Sequence, residues 1–318
     1  MLNRQRFGHN DGVSGTPRLA SQHVASVRLL RDNADYAFLV LIGIYSVARV
    51  LQVYRLGLSL ATVIALHVIP IGLFAIVHGT RLYGWRRMTG FVGIALVVGN
   101  ISENIGVRTG SPFGRYEFTP LMGPKLFAVP ILLGIAYIGM AYLSWVLARI
   151  VVGAIHRTSA VCDVVLVPAL AAVIMVSWDV SQEPVWSTVL RLWIWRDGGL
   201  YFGVPLSNFF GWYITVFVIF QLFALTLRYS SLRERRLPPH YWHQAVLFYA
   251  MSAAGNLVLL LPSERPKSVT DALGVRWATR DIIAACALVT ILTMGLFALL
   301  AWRRLKQLTI LPESDVGS

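Results

Sequence analysis

The sequence predicts an all-α, polytopic membrane bundle of about eight transmembrane helices, and three observations carry that expectation. Of 318 residues, 56% are hydrophobic and only 14% charged, whereas soluble domains carry about a quarter charged. Mean hydropathy is +0.64. The apolar residues fall in continuous runs near the ~20 residues that a bilayer-crossing helix needs, without the alternation of a membrane barrel. The same composition excludes a disordered, collagen-like or disulfide-framed chain. The two cysteines, Cys162 and Cys286, lie in apolar stretches and are too few for a metal cluster.

Residues 1–35 are polar, rich in Gly, Ser and Arg, and contain no apolar h-region; they read as a loose polar N-terminal tail rather than a signal peptide. Apolar runs follow at Tyr36–Val53, Leu58–Val77, Met88–Ile105, Leu126–Val152, Val164–Trp178, Phe209–Leu227, Ala245–Leu261 and Ile282–Trp302. The fifth run is short, so a count of seven stays open beside eight. A transmembrane domain over 36–305 and a C-terminal tail over 306–318 complete the organisation. No repeat with a 20–50-residue period is visible.

The formal net charge is +13. In a soluble protein that would suggest nucleic acid. Here the basic residues sit between apolar runs, so membrane lipid head groups are the expected partner and nucleic acid is not. With the N-terminus inside, the cytoplasmic segments hold 17 of the 28 Lys and Arg residues. They comprise five in the tail, Arg81, Arg86, Arg87, Arg149, Arg157, Arg228, Arg233, Arg235, Arg236, Arg303, Arg304 and Lys306. That bias puts both termini in the cytoplasm, and the expected location is a bacterial cytoplasmic membrane.

Two connections do not resemble ordinary loops. One runs from Asn100 to Pro130, the other from Ser177 to Trp212, and both are rich in Gly, Pro, aromatics and carboxylates. Loops longer than about 15 residues are usually functional or disordered, and the aromatic content argues against disorder. Helices three and five leave the membrane on the same side, so the two segments can meet.

Asn100, Glu103 and Asn104 are spaced i, i+3, i+4 and share a face near the end of helix three. Asp179 and Glu183 are four apart at the end of helix five, and Pro184 is expected to stop that helix at Glu183. At a helix C-terminus the dipole, partial burial and a second carboxyl all favour the neutral acid, the form that a general acid requires. Arg108, Arg115, Arg191 and Arg196 lie near in sequence and could cancel the effect. Carboxylates at helix ends are often merely solvated, but three of them beside two aromatic loops are a functional signal. Phe113, Tyr116 and Phe118 mark the first segment. Trp178, Trp186, Trp193, Trp195, Tyr201, Phe202, Phe209, Phe210 and Trp212 crowd the second. Most would belong to an interfacial belt in any membrane protein; a subset lining a pocket could shield a carbocation.

Other chemistries lack their residues. His9, His23, His67, His78, His156, His240 and His243 form no set of di-iron boxes, and His240 and His243 read as surface residues. No aspartate-rich diphosphate motif, phosphate-binding glycine loop, dinucleotide fingerprint or nucleophile elbow occurs. No cofactor and no metal is expected.

At the two long segments the chain resembles a family of carotenoid biosynthesis membrane proteins that includes carotenoid 1′,2′-hydratases. The resemblance rests on Glu103, Gly106, Thr109-Gly110, Pro112-Phe113-Gly114, Tyr116, Phe118-Thr119, Gly123-Pro124 and Val129-Pro130. It continues through Asp179, Glu183-Pro184, Trp193-Ile194-Trp195, Gly199, Tyr201, Gly203-Val204-Pro205, Asn208-Phe209 and Gly211-Trp212. Phe118 stands where the pattern has Tyr, and Glu183 where it has Asp. The resemblance implies addition of water to the terminal double bond of an acyclic or half-cyclic carotenoid lying in the bilayer, with other enzymes of the pathway as candidate partners. Glu103, Asp179 and Glu183 are then the candidate catalytic carboxyls. Asn100, Asn104, Phe113, Tyr116, Trp178, Trp193, Trp195, Tyr201, Asn208 and Trp212 are the candidate substrate-binding residues. Two other readings stand beside the hydratase: an acid-initiated membrane cyclase, which must exclude water from the cation, and a lipid or polyene carrier without chemistry.

Overall fold

The computed structural model describes residues 16–54, 56–155, 163–230, 235 and 237–310, with side chains from 35 to 307. Nine α-helices are present among them: α1 (Thr16–Tyr54), α2 (Leu60–Tyr83), α3 (Trp85–Thr109), α4 (Ile131–Val152), α5 (Asp163–Val180), α6 (Leu206–Arg228), α7 (Pro239–Val258), α8 (Thr279–Thr290) and α9 (Leu296–Ile310). A π-turn, Ile291–Gly295, joins α8 to α9, so the two run as one segment and eight helical segments stand among the described residues. Seven of these are long and apolar enough to cross a membrane. The exception is α7, whose polar side chains turn inward instead: Gln244 donates to Asp35, and Ser252 and Asn256 are hydrogen-bonded within the bundle. Interhelical bonds of this kind satisfy polar groups away from lipid.

Every apolar run holds a helix, with shifted ends. The helix α1 reaches back to Thr16, into the stretch that reads as a polar tail. The fourth run loses its first five residues to a hairpin in which Lys125 and Leu126 (β2) pair with Pro130 and Val129 (β3); Pro130 then caps α4 in an extended conformation. At α5 the expectation is partly corrected. The helix ends at Val180, but the chain does not leave helical geometry at Glu183. Pro184 takes φ −64° and ψ −26° and opens a π-turn, Val185–Val189, a position where its missing N–H costs nothing.

The helix α4 is the most buried of the spans and packs against α2, α3, α5 and α9. On α3, Val97, Ile101 and Ile105 face outward while Glu103 is buried. One apolar face thus meets lipid and one carboxyl-bearing face meets the core.

The two long connections do meet. Tyr116–Phe118 (β1) pairs antiparallel with Trp193–Trp195 (β4), in the register Tyr116 to Trp195, Glu117 to Ile194 and Phe118 to Trp193. Side chains alternate along a strand, so Tyr116 and Phe118 turn inward while Glu117 is exposed. A hairpin of Ser268–Thr270 (β5) and Arg276–Ala278 (β6) lies on the same end of the bundle. Reporter fusions ended after Gly114 and after Trp195 should therefore report one common side, the outer one if the basic bias sets orientation. Opposite answers from the two fusions would contradict the β1–β4 pairing.

Candidate functional site

Phe113 shows how the first segment is fixed. A Cβ on Gly106 of α3 would lie 2.6 Å from its ring, and one on Gly211 of α6 would lie 2.7 Å from it. Only two glycines leave room for the ring between the helices. Ser207 at the start of α6 donates to the Phe113 carbonyl at 2.9 Å, tying the loop to that helix end.

Behind Phe113 lies a cavity of about 70 Å3. Its lining contains three carboxyls, Glu103, Asp179 and Glu183, otherwise set among aromatic and aliphatic side chains. Each carboxyl has distinct partners. Glu103 accepts from the Tyr116 hydroxyl and, at 2.7 Å, from the Tyr137 hydroxyl. Asp179 accepts from the Asn208 amide at 3.0 Å. Glu183 accepts through Oε1 from the indole N–H groups of Trp193 and Trp195, at 2.6 and 2.7 Å. Oδ1 of Asp179 takes no hydrogen bond from the described residues, while the Ser187 hydroxyl, which donates to the Glu183 carbonyl at 2.9 Å, also lies beside the Glu183 carboxyl. An indole N–H can only donate, so Oε1 of Glu183 is held as an acceptor. Burial, then the neighbouring Glu103 carboxyl, pushes the Tyr116 hydroxyl above its ordinary pKa, which keeps it a donor.

The arginines near these acids in sequence are spent elsewhere. Arg115 chelates Asp197, Arg196 reaches Glu117 at 2.6 Å, and Arg191 donates to the Thr270 carbonyl. The hydrogen bond from Arg115 lowers the Asp197 pKa; all four of these charged partners are solvent-exposed. Arg108 is exposed. Among the described residues, no Lys or Arg lines the cavity.

Of the sequence-predicted residues, Phe113, Tyr116, Trp178, Trp193, Trp195, Asn208 and Trp212 line the cavity with the three acids. Asn100, Asn104 and Tyr201 do not. Asn104 bonds to Asn100 and accepts from the Ala128 backbone N–H at 3.1 Å, holding the β2–β3 hairpin against α3. Tyr201 donates to the Val180 carbonyl at 3.2 Å. The helix-end argument also changes for Glu103, since α3 continues six residues beyond it to Thr109 and dipole effects fade within the last turn.

Three groups at the site carry no signal in the sequence, two of them in the cavity lining and one behind it. Tyr137 stands on α4 behind the cavity wall and stacks on Trp212 with centroids 4.7 Å apart. His67 on α2 faces Trp186 across the cavity wall at 5.5 Å. Its ring nitrogens lie 3.1 Å from an Arg49 Nη and 3.2 Å from the Tyr45 hydroxyl. Arg49 donates the former, so Nδ1 accepts and Nε2–H points to Tyr45. Arg49 fits because Gly255 has no Cβ; one there would lie 2.1 Å from Nε. Gln182 is the third.

A family model described as "Carotenoid biosynthesis protein" matches residues 35–275. The chain is 29% identical over 151 residues to the bisanhydrobacterioruberin hydratase of Haloarcula japonica. That stretch covers 47% of this chain and 49% of the relative, about half of each. No solved structure matches the chain.

Proposed function

This chain belongs to the carotenoid biosynthesis protein family, and on that premise we propose that it is a membrane hydratase adding water across a terminal isoprenoid double bond of a carotenoid. The observation that carries the proposal is the set of three carboxyls, Glu103, Asp179 and Glu183, around one aromatic cavity without a cation. A carboxylic acid can protonate an alkene, and aromatic faces can shield the cation that results.

Asp179 is the proton donor in this reading, because its Oδ1 is free to face the double bond while Asn208 holds Oδ2. Its proton forms the new C–H bond at C-2′, leaving a tertiary cation at C-1′. Trp178 and Trp212 supply ring faces beside that position, and Tyr137 backs Trp212 by stacking on it. Glu103, gripped by two tyrosine hydroxyls, supplies fixed negative charge to the cation. Water attacks C-1′ as its proton passes to the Glu183 carboxyl through Oε2, the oxygen that the two indoles do not hold. The cavity of about 70 Å3 suits the end of a chain, with the rest of the polyene in the bilayer. We further place both termini in the cytoplasm of a bacterial host, which sets the cavity at the outer leaflet.

Expression in a host making lycopene or γ-carotene, with pigments resolved by chromatography and mass, tests the class directly. A gain of one water is expected; an isomer of unchanged mass would mean a cyclase, and no change would remove the hydratase reading. Since the mechanism draws on carboxyls alone, hydration in isolated membranes should persist through EDTA and without nucleotides. Loss on chelation with recovery on adding a divalent metal would refute the acid-only mechanism.

A further inference from the structure

Two polar groups in the cavity wall have no role in the steps above. Gln182 is 4% exposed and Trp178 is 8% exposed, and both line the cavity. The Oε1 of Gln182 and the indole N–H of Trp178 are buried with no protein hydrogen-bond partner. A buried donor or acceptor left unpaired costs about 1–3 kcal/mol, so such groups in native proteins generally serve a water or ligand. One is an acceptor and the other a donor, and their neighbours in sequence are Asp179 and Glu183, the two acids that give and take the proton in this reading. The backbone sets this spacing: Gln182 N–H donates to the Asp179 carbonyl at 3.1 Å, and Trp186 N–H to the Gln182 carbonyl at 3.2 Å. Residues 178, 179, 182 and 183 therefore share one helical face on a turn that the Pro184 π-segment continues.

We propose that Gln182, with the Trp178 indole N–H, holds the water molecule that captures the cation. The inference rests on the hydratase reading. Gln182 Oε1 accepts one water proton and Trp178 Nε1 donates to the water oxygen, leaving a lone pair for C-1′ and the second proton for Glu183. The C–O bond forms from that lone pair, and the proton released goes to Glu183 Oε2. If water is not in place, the cation loses a proton from C-2′ and returns to the alkene.

That competition supplies the test. Membranes carrying the full chain are given lycopene in D2O. A failed capture that loses the original C-2′ hydrogen then returns lycopene with deuterium at C-2′, whereas each success yields a hydroxylated product. Gln182→Leu removes both hydrogen-bonding atoms at similar volume. The ratio of deuterium in recovered lycopene to hydrated product is expected to rise at least about tenfold over the unsubstituted protein. Gln182→Glu, which keeps the acceptor, should restore part of the capture. An unchanged ratio, or a parallel loss of deuterium and product at normal abundance, overturns the proposal. If Gln182→Leu fails to accumulate, Gln182→Met decides by the same ratio, since it keeps the side-chain length and replaces the amide with a weakly accepting thioether. The hydratase reading fails separately, by the absence of hydrated product from the unsubstituted protein.

Discussion

Asp179→Asn is expected to abolish detectable hydroxylated pigment while the protein accumulates normally in the membrane. The amide keeps the shape of the side chain, and its oxygen can still accept from Asn208. What it loses is the transferable proton at the position that faces the cavity. A general acid contributes about 10²–10⁴-fold, and an unactivated alkene places the demand toward the upper end. The folding cost is small by comparison, because one net hydrogen bond is worth about 1 kcal/mol and this one survives. Glu117→Gln is the matched control. Glu117 pairs with Arg196 on the exposed face of β1, and exposed pairs contribute about 0–1 kcal/mol, so product should stay near normal. The measurement is chromatographed pigment normalised to membrane abundance. Near-normal product from Asp179→Asn would reduce this carboxyl to a packing group.

What the sequence discloses about this site depends on where each signal resides. The meeting of the two long connections is legible because helix parity alone puts them on one side, and the β1–β4 pairing bears it out. The inward aromatics of the Trp-x-Trp segment are legible from period-two spacing, though their use is not. Their indole N–H groups bind Glu183, a contact that needs a strand register no local pattern encodes. Tyr137 and His67 are isolated polar residues within apolar stretches of α4 and α2. They matter only because α4 and α2 bring them beside residues far away in the chain. Asn104 misleads for the converse reason: its i, i+4 spacing from Asn100 holds and the two side chains bond, yet a backbone N–H of the hairpin claims its side-chain oxygen.

Glu103→Gln is expected to lower product as severely, by a different route. Tyr116 and Tyr137 both donate to this carboxyl, and hydroxyls on two separate elements, β1 and α4, fix its position without any neutralising cation. A preorganised charge aimed at a developing ion is worth about 10²–10³ in rate, and the amide removes it. The fold tolerates the change, because a tyrosine hydroxyl can turn to accept from the new NH2 group, and the Tyr137–Trp212 stack does not involve the carboxyl. Glu103→Asp separates charge from geometry. It keeps the negative group but draws it back by a methylene, so product should fall less than with Gln. Tyr137→Phe should sit between them, since it deletes one hydrogen bond to a charged group, worth about 1.5–3 kcal/mol, and spares the ring. Equal loss from Glu103→Gln and Glu103→Asp would mean that position, not charge, is what Glu103 supplies. Near-normal product from both Glu103→Gln and Asp179→Asn would make these carboxyls structural residues of the cavity wall and leave proton delivery to Glu183.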